Sequence, residues 1–87
     1  MEIVYHTNFR RNFKKRIAPN STLTEKFQKR LEILLENPNS PQLKNHRLIG
    51  SKNKYSAFSV SGNVRVVYRI ENDTLFLYDI GTHNQVY

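Results

Sequence analysis

The spacing of the apolar residues changes near the middle of the chain, and this change constrains the fold more than any other feature. In the first half, Phe9, Phe13 and Ile17 recur every four residues, as on one face of an amphipathic helix. A second set recurs at helical spacing: Leu23, Phe27, Leu31, Leu34 and Leu35. Later, apolar and other residues alternate between Val64 and Ile70, as in a strand. The pattern predicts two helices followed by a sheet.

Capping residues and breakers set the expected ends of the helices. Thr7 or Asn8 is predicted to cap the first helix, and Pro19 closes it. Thr22, followed three residues later by Glu25, predicts a capping box at the start of the second helix. The two helices, joined by a short turn and each apolar on one side, are predicted to form a helical hairpin that packs on the sheet.

Short β-rich segments supply the sheet. They are predicted at residues 3–5, 43–48, 55–60, 64–70 and 74–80. Residues 61–63 and the pair Asn72-Asp73 are turn signals, so the last three strands form an antiparallel meander. Along residues 64–70 one face carries apolar side chains for the helices, whereas the other carries Arg65 and Arg69.

Length and composition bound the architecture. The 87 residues suffice for one compact domain, residues 1–87, but not for a second. Cysteine is absent, which excludes disulfides, thiolate metal sites and a cysteine nucleophile. No apolar run is long enough to span a bilayer, and Met1 to Tyr5 lacks the pattern of a signal peptide, so the cytoplasm is the expected compartment.

The charge is strongly positive and unevenly placed. Fourteen Lys and Arg residues stand against seven Asp and Glu, a formal net charge of +7. Between Asn8 and Arg30 there are eight basic residues and a single acid, Glu25. Such a face suits nucleic acid, an acidic protein or an anionic membrane surface, although it also fits a merely solvated helix.

Several common chemistries lack their signatures. The three histidines, His6, His46 and His83, have no metal-ligand spacing, so neither a metal nor another cofactor is expected. The glycines stand singly, which argues against a phosphate-binding loop, and no Ser-His-Asp arrangement is visible.

The remaining polar residues suit RNA cleavage through the 2′-hydroxyl, which needs a base, an acid and a cation for the phosphorane. Candidate proton-transfer groups are His46, His83 and Tyr87. Arg65 is the candidate phosphate clamp, with Lys52 and Lys54 as secondary cations. Each residue also has an ordinary structural explanation, so spacing alone does not decide.

An ordered set of motifs resembles a known family. Residues 45–50, Tyr55, residues 64–70 and the ending at residues 80–87, Ile-Gly-Thr-His-Asn-Gln-Val-Tyr, resemble the RelE/ParE superfamily of bacterial toxins. The similarity is greatest to the YafQ and RelE-type messenger-RNA interferases. The resemblance implies an α+β fold: a small twisted antiparallel sheet with an N-terminal strand, a two-helix hairpin on one face and RNA on the other.

The resemblance also implies roles for individual residues. His46 matches a histidine that contributes to catalysis in YafQ-like toxins, and His83 matches a proposed acid or base near the C-terminus. Arg65 matches the strand arginine that contacts the scissile phosphate in RelE-like toxins, and Tyr87 matches a C-terminal aromatic residue with a proton-transfer or stacking role. Further cations are predicted to bind messenger or ribosomal RNA: Lys52, Lys54, Arg69, Arg10, Arg11, Lys14 and Lys15.

Three positions depart from the family pattern. Asn45 precedes His46 where YafQ-like toxins usually have aspartate, Ser59 replaces a second histidine, and Asn63 replaces an aspartate. A mechanism that relies on that second histidine and that aspartate is therefore excluded, and the acid and base assignments stay open. A weakened or altered nuclease is one consequence.

The resulting hypothesis is a toxin of a type II toxin–antitoxin system that cleaves messenger RNA, with the ribosomal A site as its place of action. Its implied partners are an acidic or amphipathic antitoxin, messenger RNA and ribosomal RNA, and no membrane. Two alternatives remain: a ParE-like inhibitor of DNA gyrase, and a basic module that acts by binding alone.

Overall fold

The computed structural model describes all residues, 1–87, as one α+β unit measuring 32 × 28 × 23 Å. Its elements, in chain order, are β1 (Glu2–Tyr5), α1 (Thr7–Arg16), α2 (Ser21–Glu36), β2 (His46–Arg47), β3 (Ser56–Ser59), β4 (Val64–Glu71), β5 (Thr74–Thr82) and α3 (His83–Val86). Single 3₁₀ turns lie at Pro41–Leu43 and Gly50–Lys52. No helix combines the length and apolar character needed to cross a membrane.

The strands form one sheet in the order β1-β5-β4-β3-β2. Strands β2 to β5 pair antiparallel, as predicted, but β1 runs parallel to β5, with Glu2 opposite Thr74 and Tyr5 opposite Leu77. The sheet is therefore mixed rather than wholly antiparallel. Because β1 leads into helices and not into a hairpin, its direction is not fixed by a tight turn.

Helices α1 and α2 form where the apolar spacing predicts them, but their caps differ from the prediction. The His6 ring accepts a hydrogen bond from the Asn8 backbone N–H at 3.1 Å, so His6 caps α1. The Asn20 side chain accepts from the Leu23 backbone N–H at 3.1 Å and caps α2. The residues expected to cap, Thr7 or Asn8 for α1 and Thr22 for α2, lie inside the first turns, because an acceptor already stands one position before each helix.

Both helices pack their apolar stripes on one face of the sheet, as predicted, except that Leu35, near the end of α2, is 40% exposed. The main core joins side chains of the helices to those of the strands: Phe9, Ile17, Phe27, Leu34, Leu43, Phe58, Val60, Val64, Val66, Tyr68, Leu75, Leu77 and Ile80. Ile70, which was expected to share this face, is 40% exposed. It lies one residue before the end of β4, next to the exposed β4–β5 turn.

The opposite face has a small core of its own, which the sequence did not predict. Leu48, Ala57, Val67 and Val86 pack together there, and Val86 is only 1% exposed. Val86 belongs to α3, a single helical turn absent from the prediction because four residues are too few to show a period. The Gln85 side chain accepts a hydrogen bond from the Thr82 backbone N–H at 2.8 Å and fixes the start of this turn.

The connections agree with the turn signals except near residue 44. Asn72 and Asp73 have φ values of 52° and 60°, as a two-residue hairpin turn of type I′ requires. The strand predicted at residues 43–48 shrinks to His46–Arg47. It does so because Pro41 begins a 3₁₀ turn and Lys44 takes a left-handed conformation, φ 48°, which no extended strand contains.

Candidate active site

A cleft of about 490 Å³ opens between β2, the Gly50–Lys52 turn and α3, beside the smaller core. It is lined by His46, Arg47, Leu48, Ile49, Ser51, Lys52, His83 and Tyr87. The short helix α3 turns the chain back across the sheet after β5, and its anchor Val86 brings the C-terminal residue beside the edge strand β2. Three of the four predicted catalytic residues therefore line one cleft.

The Tyr87 hydroxyl lies 3.3 Å from Nε2 of His46. Nδ1 of the same ring lies 3.3 Å from the Lys44 carbonyl oxygen, which can only accept a hydrogen bond. A neutral His46 therefore carries its proton on Nδ1, and this assignment leaves Nε2 as an acceptor for the Tyr87 O–H. The contact with the Lys44 carbonyl thus leaves Nε2 as the acceptor nitrogen of a neutral His46.

His83 lies on the other side of the same phenol. Its ring centroid is 4.4 Å from that of Tyr87, and the two planes meet at 89° in an edge-to-face contact. The His46 ring also meets Tyr87 edge-on, with centroids 6.0 Å apart. Both histidines are exposed to solvent. Two imidazoles therefore flank one phenol at the rim of the cleft, within reach of a bound ligand.

Arg65 approaches the phenol of Tyr87 from β4. Its Nη1 donates to the Ser59 Oγ at 3.2 Å and to the Ser61 carbonyl at 3.0 Å, which directs the half-buried guanidinium toward the β3–β4 turn. The Ser59 Oγ in turn donates to the Ser61 carbonyl at 2.7 Å, so this one hydroxyl is hydrogen-bonded both to Arg65 and to the β3–β4 turn. Arg65 stands close enough to Tyr87 to affect its ionisation.

Two opposing effects act on the Tyr87 phenol. Burial raises its pKa above the ordinary value of 10, whereas the charge of Arg65 and a hydrogen bond from it lower the pKa, and burial dominates. The phenol is therefore protonated at neutral pH, and its O–H is available as a hydrogen-bond donor.

The remaining predicted cations are spread over the molecule. Lys52 lines the cleft, and its Nζ donates to the Val86 carbonyl at 2.7 Å, so it also ties the end of α3 to the Gly50–Lys52 turn. Lys54 is exposed beyond this turn and does not line the cleft.

Arg69 lies four residues along β4 from Arg65, roughly 13 Å away at the rise of an extended strand. It pairs with Glu71 at 2.8 Å and lies over the Phe76 ring at 4.3 Å, so its charge is partly neutralised. A further set of predicted cations is exposed on α1, which packs on the opposite face of the sheet: Arg10, Arg11, Lys14 and Lys15.

Some residues of the site carried no signal of their own in the sequence. Arg47 and Ser51 line the cleft, and so does Ile49, an apolar side chain that is 90% exposed. Ser59, which appeared only as a departure from the family pattern, is 5% exposed and holds Arg65. An alternating strand pattern predicts the face of residue 59, but not its contact with an arginine six residues later. No three His, Asp or Glu side chains are grouped so that they could bind a metal ion.

Comparisons with known proteins show the family through a family model and the fold through solved structures. The family model described as "Bacterial toxin of type II toxin-antitoxin system, YafQ" matches residues 1–87. The structure of YafQ from E. coli is similar at a TM-score of 0.83 and 21% identity, covering 99% of this chain and 97% of that chain. No curated protein sequence gives a significant match.

Two further solved structures show the same architecture. The E. coli DinJ-YafQ toxin-antitoxin complex matches at a TM-score of 0.80 and 21% identity, covering 99% of this chain and 96% of that one. A YoeB/ParE toxin from Agrobacterium tumefaciens matches at 0.82 and 17% identity, covering 95% and 99% respectively. At these identities the structural likeness shows a shared fold, which is the fold implied by the sequence motifs.

Proposed function

Because its whole length matches the family model, the chain belongs to the YafQ toxins of bacterial type II toxin–antitoxin systems, and we propose that it is an endoribonuclease that cleaves messenger RNA. One observation carries the proposal: Tyr87 stands between His46 and His83, with Arg65 beside it. A proton acceptor and a second imidazole at one cleft, with a fixed cation beside Tyr87, are the groups that 2′-hydroxyl chemistry needs.

The reaction is a transfer of the phosphoryl group within the RNA. A base removes the proton of the 2′-hydroxyl, and the 2′-oxygen attacks the adjacent phosphorus. The bond from phosphorus to the 5′-oxygen breaks, and an acid donates a proton to that oxygen. The products are a 2′,3′-cyclic phosphate and a 5′-hydroxyl end. No external oxidant, metal ion or cofactor enters this balance.

The geometry favours a division of roles between the histidines. His46 has Nε2 free of a proton in its neutral form, because Nδ1–H is directed to the Lys44 carbonyl, so we assign it the base. His83, exposed at the start of α3 on the other side of Tyr87, is then the acid when protonated. The Tyr87 O–H occupies the one lone pair of Nε2, so the proton of the 2′-hydroxyl passes to the phenol oxygen as the phenol proton passes to His46. The Tyr87 ring also offers an edge or face to a base of the RNA.

Arg65 binds the scissile phosphate in this proposal, since guanidinium is always charged and presents a planar set of donors. The departures from the family pattern acquire a physical meaning here. Ser59 is not an acid or base but a brace for Arg65, through the 3.2 Å contact with Nη1. Asn63 is exposed in the β3–β4 turn, where its backbone N–H donates to the Ser61 Oγ at 3.3 Å.

The partners follow from the family and from the charge. The E. coli YafQ fold is known in complex with DinJ, and we propose that an antitoxin likewise neutralises this chain, whose net charge is +7. We further propose that the chain cleaves messenger RNA in the ribosomal A site, and therefore in the cytoplasm. In this arrangement the exposed cations of α1 and the side chain of Lys54 lie near ribosomal RNA.

The proposal is tested by inducing the chain without an antitoxin and mapping the 5′ ends of a reporter messenger by primer extension. New ends inside translated codons are expected for the wild type and absent for His83→Ala and Arg65→Ala. His6→Asn is the matched histidine control, because asparagine keeps an acceptor at the α1 cap and His6 lies outside the cleft. Growth arrest with an intact messenger and inhibited supercoiling would instead identify a gyrase inhibitor.

A further inference from the structure

A second concave surface lies where α2 meets the β3–β4 turn. This groove, about 340 Å³, is bordered by α2, the loop around Lys44 and the turn after β3. Four cations and no acidic residue line it: Lys26, Lys29, Arg30 and Lys44. Apart from Val60 its lining is polar or glycine, and it contains no aromatic ring. We refer to it as the α2 groove.

The charges of the α2 groove are free to bind a ligand. Lys26, Lys29 and Lys44 are exposed, and none forms a salt bridge or a side-chain hydrogen bond. Lys26 and Lys29 stand three residues apart on α2, so they project from the same side of the helix. Arg30 is fixed at the base of the groove by hydrogen bonds to the carbonyls of Gln42 and Ser59, the latter at 3.3 Å. Uncompensated cations in a concavity concentrate a positive potential there.

The α2 groove is joined to the candidate active site by the residues that hold Arg65. Ser59 and Ser61 line the groove, and the same two residues accept the hydrogen bonds from the Arg65 Nη1 at 3.2 and 3.0 Å. Only the last residue of β3 and the start of the β3–β4 turn, residues 59–62, therefore separate the groove from the guanidinium assigned to the scissile phosphate. The groove and the Arg65 site thus share Ser59 and Ser61.

We propose that the α2 groove binds the phosphodiester backbone of the same single-stranded RNA on one side of the cleavage point. This inference rests on the proposed function and extends it by naming a second contact on the substrate. The groove binds the RNA backbone and not the bases, because its lining offers cations for phosphates but no aromatic ring on which a base could stack, and Val60 is its only apolar side chain. It therefore adds affinity without sequence preference. An acidic protein segment is the competing occupant.

The test compares fluorescein-labelled 2′-O-methyl RNA of three and nine nucleotides, which lacks the attacking hydroxyl and is not cleaved. Anisotropy titrations use the wild type, Lys26→Gln/Lys29→Gln and a matched control, Lys14→Gln/Lys15→Gln. The control loses the same charge from α1, whose cations are assigned to ribosomal RNA, and ribosomal RNA is absent from this assay. We expect the groove variant to lose at least tenfold in affinity for the nine-nucleotide strand and to keep its affinity for the trinucleotide. Its salt slope should fall by about 1.4, since about 0.7 counterions are released per phosphate contact on a single strand.

Two results would overturn the proposal. Equal losses in the groove variant and the matched control would mean that net charge alone acts. A groove variant that binds the long strand as well as the control does, but loses affinity for a labelled polyglutamate peptide, would assign the groove to an acidic protein segment. Circular dichroism of each variant confirms the fold. Failure of the proposed function would look different from failure of this inference. The messenger would then stay uncut, while the groove variant would still lose affinity for the nine-nucleotide strand and not for the trinucleotide.

Discussion

The hydroxyl of Tyr87 is hydrogen-bonded to Nε2 of His46 across 3.3 Å, which joins the C-terminal residue to a two-residue edge strand 41 positions earlier. This contact exists because Val86 is buried against the second face of the sheet and holds α3 in place. The site is thus assembled by the last turn of the chain. Changes that loosen α3 should affect the chemistry before they affect the fold.

Removing the hydroxyl of Tyr87 tests its role as a donor. Tyr87→Phe keeps the edge-to-face contact with His83 but loses the bond to His46, so cleavage should fall about tenfold, the equivalent of one hydrogen bond near 1.4 kcal/mol. Tyr87→Ala should lose more, because the ring is lost as well. Single-turnover rates on ribosome-bound messenger measure both, and full activity in Tyr87→Phe would leave stacking as the only role.

Ser59→Ala tests the brace on Arg65. Alanine removes the Oγ that accepts from Arg65 and donates to the Ser61 carbonyl, so the guanidinium gains freedom while the core is unchanged. We expect the unfolding free energy to fall by about 1 kcal/mol. We also expect the cleavage rate of bound RNA to fall by a larger factor than the affinity for RNA. Ser21→Ala, at an exposed position of α2, is the control. Unaltered cleavage by Ser59→Ala would show that Arg65 needs no brace.

Gly81→Ala should disturb the start of α3. A Cβ at residue 81 would lie 2.6 Å from the Arg16 Nη1 and 2.6 Å from the Gln85 Oε1. Both atoms make bonds that fix this corner, Arg16 to the Ile80 carbonyl and Gln85 to the Thr82 N–H. We expect a loss of about 1–3 kcal/mol in unfolding free energy and reduced cleavage. Urea denaturation measures the first, and a variant as stable as the wild type would contradict the packing described.

The buried phenol of Tyr68 predicts a loss of stability at high pH. Burial raises its pKa above 10, against smaller opposing effects of hydrogen bonds with Asn45 and Ser56. Below pH 10 both the folded and the unfolded chain keep this proton. Above pH 10 the unfolded chain loses it first, so the folded state loses stability as pH rises. Urea denaturation between pH 8 and pH 11 should show that the unfolding free energy falls more steeply with pH for the wild type than for Tyr68→Phe. Parallel curves for the two proteins would contradict this prediction.

The sequence predicted the elements whose signals are repeated or local. The stripes of α1 and α2 contain several apolar residues each, and Asn72-Asp73 is a strong turn signal. The direction of β1 and the helix α3 were not predictable in this way, because an edge strand pairs in either direction and α3 has four residues.

The candidate site followed from family resemblance and not from spacing. His46 and Tyr87 are 41 residues apart, and nothing local to either residue indicates that they meet. The role of Ser59 was also inaccessible, because a serine in a strand alternates like any other residue and only the fold puts it beside Arg65. Charge predicted a polyanion ligand, but only the structure separated the cleft, the α2 groove and the exposed face of α1.

The central claim is that this cleft cuts RNA through its 2′-hydroxyl, and the chemistry of the cut ends tests it most directly. Purified protein is mixed with ribosomes carrying an end-labelled messenger, and the fragments are analysed before and after treatment with polynucleotide kinase. We predict 5′-hydroxyl and 2′,3′-cyclic phosphate ends from the wild type and from His6→Asn, and none from His83→Ala or Arg65→Ala. Fragments with 5′-phosphate ends, or the same fragments from all four proteins, would contradict the account.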